Sequence, residues 1–293
     1  MAKRRITGEK VFDVLVYVFM IILILITLYP FVYVLFASLS APVPFSKHTG
    51  ILLSPVGFDL KSYKLVFSSP FILTGYRNTL IYVSFATAVN MLMTTLGAYA
   101  LSRKRLALKK PIMLMIIFTM FFNGGLIPTY LLVRGLGLTD SLLGLAIPGA
   151  IWTWNLIVMK TSFQEVPVSI EESAKLDGAN DFTILFRIIV PLSLPLMAVM
   201  LLFYAVGHWN TWFYAMIYIR RRELLPLQVI LRDIIISGSN HEMVAKVSLR
   251  EQEYVIYTTK YASIMAAVLP VLLIYPFLQR YFVKGVMIGG VKG

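Results

Sequence analysis

Three groups of residues in this chain of 293 have types and spacing suited to chemistry. Between Gln164 and Asp181 five acids, Glu165, Glu171, Glu172, Asp177 and Asp181, stand against the single cation Lys175. Ser169 and Glu172 have the S-x-x-E spacing of a capping box, Glu171 and Glu172 complement the positive end of a helix, and Gly178 supplies the positive φ that ends it. Asp181 can cap a second helix through Phe182, Ile184, Phe186 and Ile189 into Pro191 and Pro195. Ile170, Ser173, Ala174 and Asp177 then share a face whose central members are small, so another backbone can approach it. The segment reads as a docking elbow for a cytosolic protein or as an amphipathic connector lying on a membrane. Anionic lipid would repel its acids, which favours the protein.

The second group is His208-Trp209-Asn210-Thr211-Trp212-Phe213-Tyr214, echoed by Trp152, Trp154 and Asn155. Donors beside flat apolar rings suit stacking on sugar faces while binding hydroxyls. The same aromatics also suit an interfacial belt. Asn123-Gly124-Gly125 with Pro128 either loosens a helix where backbone faces a cavity or lets helices pack closely. The third group, Arg220, Arg221 and Arg222, reads as snorkelling anchors or as a basic rim facing an anionic solute.

Other chemistry is not supported. With no cysteine, disulfides, thiolate zinc sites and thiol nucleophiles are excluded. His48, His208 and His241 lie on separate segments without an i,i+4 pair, so no metal site is read. Gly285 to Gly290 followed by Val291 and Lys292 lacks the ending of a phosphate-binding loop. There is no Gly-x-Ser-x-Gly elbow and no pair of carboxylates inside an apolar segment. Nothing points to nucleic acid.

The elements that must position these groups are membrane helices. The chain is 58% hydrophobic and 14% charged, with mean hydropathy +0.79, which leaves too little polar surface for a water-soluble globule. Six charge-free windows each hold enough residues for about 20 to cross a core roughly 30 Å thick. They place spans at about 14–38, 78–102, 111–133, 141–161, 190–219 and 261–281, an all-α polytopic fold forming one transmembrane domain over residues 1–293. The first is too long for the apolar region of a signal peptide and is read as uncleaved. Six spans put both termini on one side with the elbow 164–189. That side carries fifteen Lys and Arg against twelve on the other, which places it in the cytoplasm. The outer side receives an irregular 41–77 with a short helix near Leu60 to Phe67, and a loop 220–260 in which Leu225, Leu227, Ile230, Leu231 and Ile234 recur at helical spacing before Ser237-Gly238-Ser239-Asn240 breaks it. No window carries an acid or lysine at mid-depth, which speaks against an ion-coupled relay. Asn90, Asn123, Asn155, His208 and Asn210 remain as polar groups able to line a path.

Glu172-Ser173-Ala174, then Asp177-Gly178-Ala179, then Ile189, Pro191 and Pro195 resembles the E-A-A…G motif of permease subunits of bacterial ABC importers, with serine for the first alanine. The ending Gln279 to Gly285, closing in Gly290-Val291-Lys292-Gly293, is similar to six-helix carbohydrate permeases of the maltose-permease type. Tyr204 to Asn210, Pro226-Leu227-Gln228 and Gly135-Leu136-Gly137-Leu138-Thr139-Asp140 resemble the polysaccharide and oligosaccharide subgroup, and within it the second permease subunit of alginate importers. The resemblance implies a type I ABC importer permease fold over the whole chain, in a bacterial inner membrane, and no enzyme activity of its own. It also implies a coupling helix of Glu172, Ser173, Ala174, Asp177 and Gly178, and a substrate path drawn from Trp152, Trp154, Asn155, His208, Trp209, Asn210 and Trp212. The implied partners are a second homologous permease, a cytosolic ABC ATPase dimer carrying ATP and magnesium, a periplasmic or lipid-anchored solute-binding protein and membrane lipid. The segment Gly289 to Gly293 is a further implied ATPase contact.

Three function classes compete. An ABC importer permease needs a partner ATPase, an ion-coupled secondary transporter works from a gradient alone, and a membrane assembly subunit has no solute specificity. The elbow and the missing buried acids favour the first. The 220–260 segment holds seven cations against five acids, which favours an acidic saccharide, with alginate as the named candidate.

Overall fold

The computed structural model describes residues 5–104, 106–237 and 249–290, with side chains except at 5–7, 9, 237, 249–253 and 277–290. The turn Gly238 to Asn240, His241, Lys246 and the ending Val291 to Gly293 lie outside the described residues, and Gly289 and Gly290 enter only as helical backbone. Among the described residues all regular structure is helical, and the chain divides into two compact units.

One unit joins Met1–Pro70 to Asp233–Leu269. Its first helix, α1 (Arg5–Ser38), is rich in Val, Ile, Leu and Phe, and its apolar side chains from Val11 to Leu28 are exposed, as suits contact with lipid chains. After α2 (Pro42–Ser46) comes α3 (Lys61–Ser68), close to the short helix expected at 60–67. Ser62 Oγ donates to Thr258 Oγ1 at 2.8 Å, tying α3 to the final helix, which is numbered below as α15. Tyr33 meets Tyr261 edge-on with ring centroids 5.8 Å apart.

The other unit comprises Phe71–Arg232 and Pro270–Gly293. Its spine is α4 (Pro70–Ser102). Thr79, Tyr82, Ala86, Asn90, Thr94 and Ala98 recur at three- and four-residue spacing on α4 and are buried, a face of small and polar residues that lets neighbouring helices approach closely. An apolar cluster of Ala98, Leu156, Met159, Phe163 and Ile189 lies at the C-terminal end of α4. A second, of Tyr82, Ala86, Val133, Ala146 and Tyr218, lies towards its N-terminal end.

Three of the six expected spans are single helices, Lys10–Ser38, Pro70–Ser102 and Tyr254–Pro276 within α15 (Leu249–Gly290). Two are bent. α5 (Lys109–Phe121) and α6 (Leu126–Gly135) meet at 112° across Phe122 to Gly125, where Gly125 has φ +83° and the Asn123 side chain accepts its N–H. α10 (Asp181–Ile184), a π turn (Leu185–Ile189) and α11 (Val190–Leu192) meet α12 (Leu194–Trp209) at 89° across Ser193, beside Pro191 and Pro195, which cannot donate to a helical ladder. The window 141–161 is not one helix: α7 (Leu142–Ala146) and α8 (Thr153–Glu165) are parted by an irregular stretch containing Pro148 and Gly149. The window 190–219 is interrupted again at Asn210 to Trp212 before α13 (Phe213–Tyr218). α9 (Val168–Leu176) forms the elbow, and α14 (Leu227–Ser237) supplies the helix expected in the 220–260 segment.

Candidate functional site

The elbow is built as helix, glycine bend and helix, though its caps differ from those expected. α9 begins at Val168 behind Pro167 without a side-chain cap, so Ser169 lies inside the first turn and no capping box forms. Pro167 holds the N-cap position with φ −55°, and having no side-chain acceptor it leaves the first-turn N–H groups without a side-chain cap. The next helix is capped by Asn180, whose Oδ1 accepts Thr183 N–H at 2.8 Å, and Asp181 is its first helical residue. Gly178 has φ +83°, with nothing within 4 Å of where a Cβ would sit. Glu172, Ser173 and Asp177 are exposed on α9, and Leu176 beside them is 90% exposed. Ala174, expected on the same open face, instead packs against the apolar cluster at the end of α4.

Sequence reasoning missed what holds this elbow. Arg103, just beyond α4, pairs with Glu171, which Lys175 Nζ also reaches at 2.9 Å. Lys175 Nζ lies 3.3 Å from Asp181 as well. Burial pushes the Glu171 carboxyl up, but the hydrogen bonds from Lys175 and Arg103 and their charges outweigh it and hold the group below the usual carboxylate range. The bond to Glu171 raises the Lys175 ammonium above its ordinary value. The available signal was position, an arginine at the end of an apolar window on the same side as an acidic elbow.

The aromatic residues come together around a buried histidine. His208 Nε2 lies 2.5 Å from Asn90 Oδ1, Asn90 Nδ2 donates to the Gly149 carbonyl at 2.5 Å, and Tyr82 Oη lies 2.8 Å from His208 Nδ1. A carbonyl only accepts, so the Asn90 amide nitrogen faces Gly149 and its oxygen faces the imidazole. Nε2 therefore carries the proton and Nδ1 accepts from Tyr82. Trp152 packs against Tyr204 and His208 with centroids 4.8 and 5.7 Å away, and Tyr204 Oη is 2.6 Å from Thr94 Oγ1. A Cβ on Gly207 would collide with the Trp152 indole.

Both ring nitrogens of His208 are thus committed inside the protein, and Trp209 is buried beside it. Asn155 is buried too, its Nδ2 making no hydrogen bond among the described residues. Trp154, Asn210 and Trp212 are exposed, and Trp152 is half-buried. The seven residues divide between a buried framework and an open surface.

The three arginines are exposed and face different partners. Arg220 donates to Tyr130 Oη at 2.9 Å, Arg221 to the Asp140 carbonyl at 3.3 Å, and the Arg222 guanidinium lies 3.9 Å from the Phe71 ring centroid. Arg232 lies over Trp212 at 5.1 Å. Asp140, with φ +55°, is the anchor: its Oδ1 accepts the backbone N–H of Arg220 at 2.6 Å and of Arg221 at 3.0 Å. Those backbone bonds from Arg221 and Arg220 hold its carboxyl below the ordinary value. Among the described residues no cluster of His, Asp and Glu could hold a metal ion.

No family model matches the chain. It is 43% identical over 290 residues to the polygalacturonan/rhamnogalacturonan transport system permease protein YtcP of Bacillus subtilis (strain 168), covering 97% of this chain and 99% of that one. It is 25% identical to the arabinooligosaccharides transport system permease protein AraQ of the same organism, covering 97% of each. Among solved structures it is similar to a chain in the crystal structure of a bacterial ABC transporter involved in the import of the acidic polysaccharide alginate, with TM-score 0.89 and 34% identity over 96% of this chain and 99% of that one.

Proposed function

The chain belongs to the permease subunits of ABC sugar importers, and we propose that it forms half of a translocation path for an acidic oligo- or polysaccharide, driven by a cytosolic ATPase that docks on the α9 elbow. Membership of this family sets aside the ion-coupled transporter and the assembly subunit, and makes the chain a multi-pass protein of the cytoplasmic membrane that is not itself an enzyme. In this reading six spans over residues 1–293 form one permease domain with both termini in the cytoplasm. The spans 111–133, 141–161 and 190–219 cross as broken helices, a form that membrane proteins use where backbone lines a cavity or is buried in protein. A second permease completes the path, a solute-binding protein delivers the saccharide, and ATP with magnesium sits on the ATPases.

The observation that carries the docking assignment is that none of the nine residues of α9 is buried, while Gly178 turns the chain sharply back. Glu172, Ser173 and Asp177 meet the ATPase and Gly178 permits the bend. Ala174 supports the helix from behind. On the outer side Trp154, Asn210 and Trp212 offer sugar-stacking and hydrogen-bonding groups, with the half-buried Trp152 and the buried Asn155, His208 and Trp209 as framework.

The cargo's charge rests on Arg220 and Arg221, whose backbone Asp140 holds, and on Arg222, which lies over the Phe71 ring. Such a rim attracts uronate carboxylates, and the attraction weakens as salt shortens the screening length to about 8 Å at physiological strength. Polygalacturonan and alginate, named for the two relatives above, are both polyuronates. The likeness to AraQ favours a second reading, a neutral oligosaccharide. The complete transporter reconstituted in proteoliposomes separates them, by ATPase stimulation with an oligouronate and with a neutral oligosaccharide of equal length. Stronger stimulation by the oligouronate, reduced in an Arg220→Gln, Arg221→Gln, Arg222→Gln variant, is expected. Equal stimulation by both sugars in the parent defeats the acidic cargo, and an unchanged triple variant removes the arginines from its recognition.

A further inference from the structure

Every edge of the Arg103 guanidinium is used. Nε donates to Ser102 Oγ at 2.9 Å, Nη2 donates to the Phe163 carbonyl near the end of α8 at 2.9 Å, and Nη1 pairs with Glu171 on α9. The plane also covers the Tyr99 ring at 4.8 Å. Glu171 and Asp181 share Lys175, so alternating charges run from the end of α4 through α9 to the first residue of α10. The Arg103–Glu171 pair keeps only 17% and 12% of its side-chain surface exposed, so solvent screens it less than a surface pair.

Little else fixes α9. None of its residues is buried, and Ala174 alone of them packs against the apolar cluster. Beneath it lies a cavity of about 850 Å³ whose walls include Tyr99, Arg103, Phe163, Glu171, Lys175 and Phe182. A cavity of that size leaves α9 room to shift, and beside the Ala174 contact it is the Arg103–Glu171 pair that ties the helix to the end of α4.

We propose that Arg103 is a positioning residue that locks α9 to the C-terminal end of α4, so that displacement imposed on the elbow moves α4 instead of being absorbed in the cavity. The role rests on the reading of α9 as the ATPase-docking helix, but falls on residues that do not themselves face the ATPase. Arginine serves this role better than lysine, which carries the charge without the fork that binds Ser102, Phe163 and Glu171 at once.

The test uses the complete transporter in proteoliposomes, comparing the parent with Arg103→Gln, Arg103→Lys, Glu171→Gln and the Arg103→Gln, Glu171→Gln double variant. Saccharide taken up per ATP hydrolysed and ATPase co-purification are both measured. The two Gln variants are expected to retain the ATPases and hydrolyse ATP while uptake per ATP falls on the order of tenfold, a typical size for coupling between sites. Arg103→Lys should fall less, and the double variant no further than either single one, because the two side chains form one contact. Glu171→Gln preserves side-chain volume and decides the matter if Arg103→Gln does not assemble. Normal uptake per ATP in the Gln variants overturns the proposal, as do multiplying effects in the double variant. Loss of the ATPases from the Gln complexes also overturns it, since the pair would then build the docking surface. The docking reading fails on a different result, ATPases bound and coupled as in the parent after Ser173→Trp.

Discussion

Asp140 and Arg220 are joined across 80 residues by one short hydrogen bond, in which the Asp140 carboxylate accepts the arginine's backbone N–H at 2.6 Å. The same oxygen takes the Arg221 N–H, and Asp140 N–H donates to the Tyr218 carbonyl at 2.9 Å. One aspartate in the left-handed region thus sets the turn that presents the arginines, a conformation that Asp and Asn tolerate better than other side chains. Asp140→Asn, which keeps an acceptor oxygen and that tolerance, should leave saccharide uptake near the parent's, whereas Asp140→Ala should lower it. Equal losses in both variants would mean that the carboxylate's charge matters and its geometry does not.

Asn90 closes the buried network around His208. Asn90→Leu leaves the His208 N–H and the Gly149 carbonyl unpartnered, at a cost of about 1 to 3 kcal/mol for each buried group. A clear fall in apparent melting temperature of the detergent-solubilised protein is expected, and an unchanged melting temperature would show that water or rearrangement satisfies both groups.

The elbow clamp should respond to acid. Because the Glu171 carboxyl titrates below its ordinary value of 4.5 in the folded protein, its stabilising contribution is complete above that value and is lost as pH falls through the lower folded-state value. Amide exchange in α9 should accelerate on acidification once corrected for its intrinsic pH dependence. Glu171→Gln should already show the faster corrected exchange at pH 7 and change little further. Equal acid response in parent and variant would assign the effect to another group.

Much of the elbow was legible because its signals are local. Glycine in a left-handed bend and prolines after it are read from adjacent residues, and the bend at Gly178 lies where the sequence puts it, whereas Ala174 leaves the small-residue face expected of it. The cap at Asn180 was misplaced by one residue because Asn180 and Asp181 are both good caps and only the backbone decides between them. Broken helices at Phe122 to Gly125 and at Pro148-Gly149 were signalled only weakly, since membrane helices tolerate Gly and Pro. The Arg103–Glu171 and Asn90–His208 contacts join residues 68 and 118 positions apart, and hydropathy carries no information about such pairings.

Sidedness is open to a direct check. With no native cysteine, a cysteine at Glu223 should react with a membrane-impermeant thiol reagent added to intact cells, after outer-membrane permeabilisation where there is an outer membrane, and one at Ser169 should not. The reverse pattern would place the elbow outside, beyond reach of any cytosolic ATPase.

The central claim is that ATP hydrolysis on partner subunits is coupled to saccharide movement through the α9 elbow, and Gly178→Val tests it most directly. Open space surrounds the missing Cβ, so the substitution acts through left-handed backbone strain of about 1 to 3 kcal/mol and through the bulk it presents to a docked partner. Membrane insertion should survive, with saccharide-stimulated ATP hydrolysis and uptake both falling sharply in the reconstituted complex. Normal stimulation and normal uptake by a fully assembled Gly178→Val transporter would contradict the coupling role of the elbow.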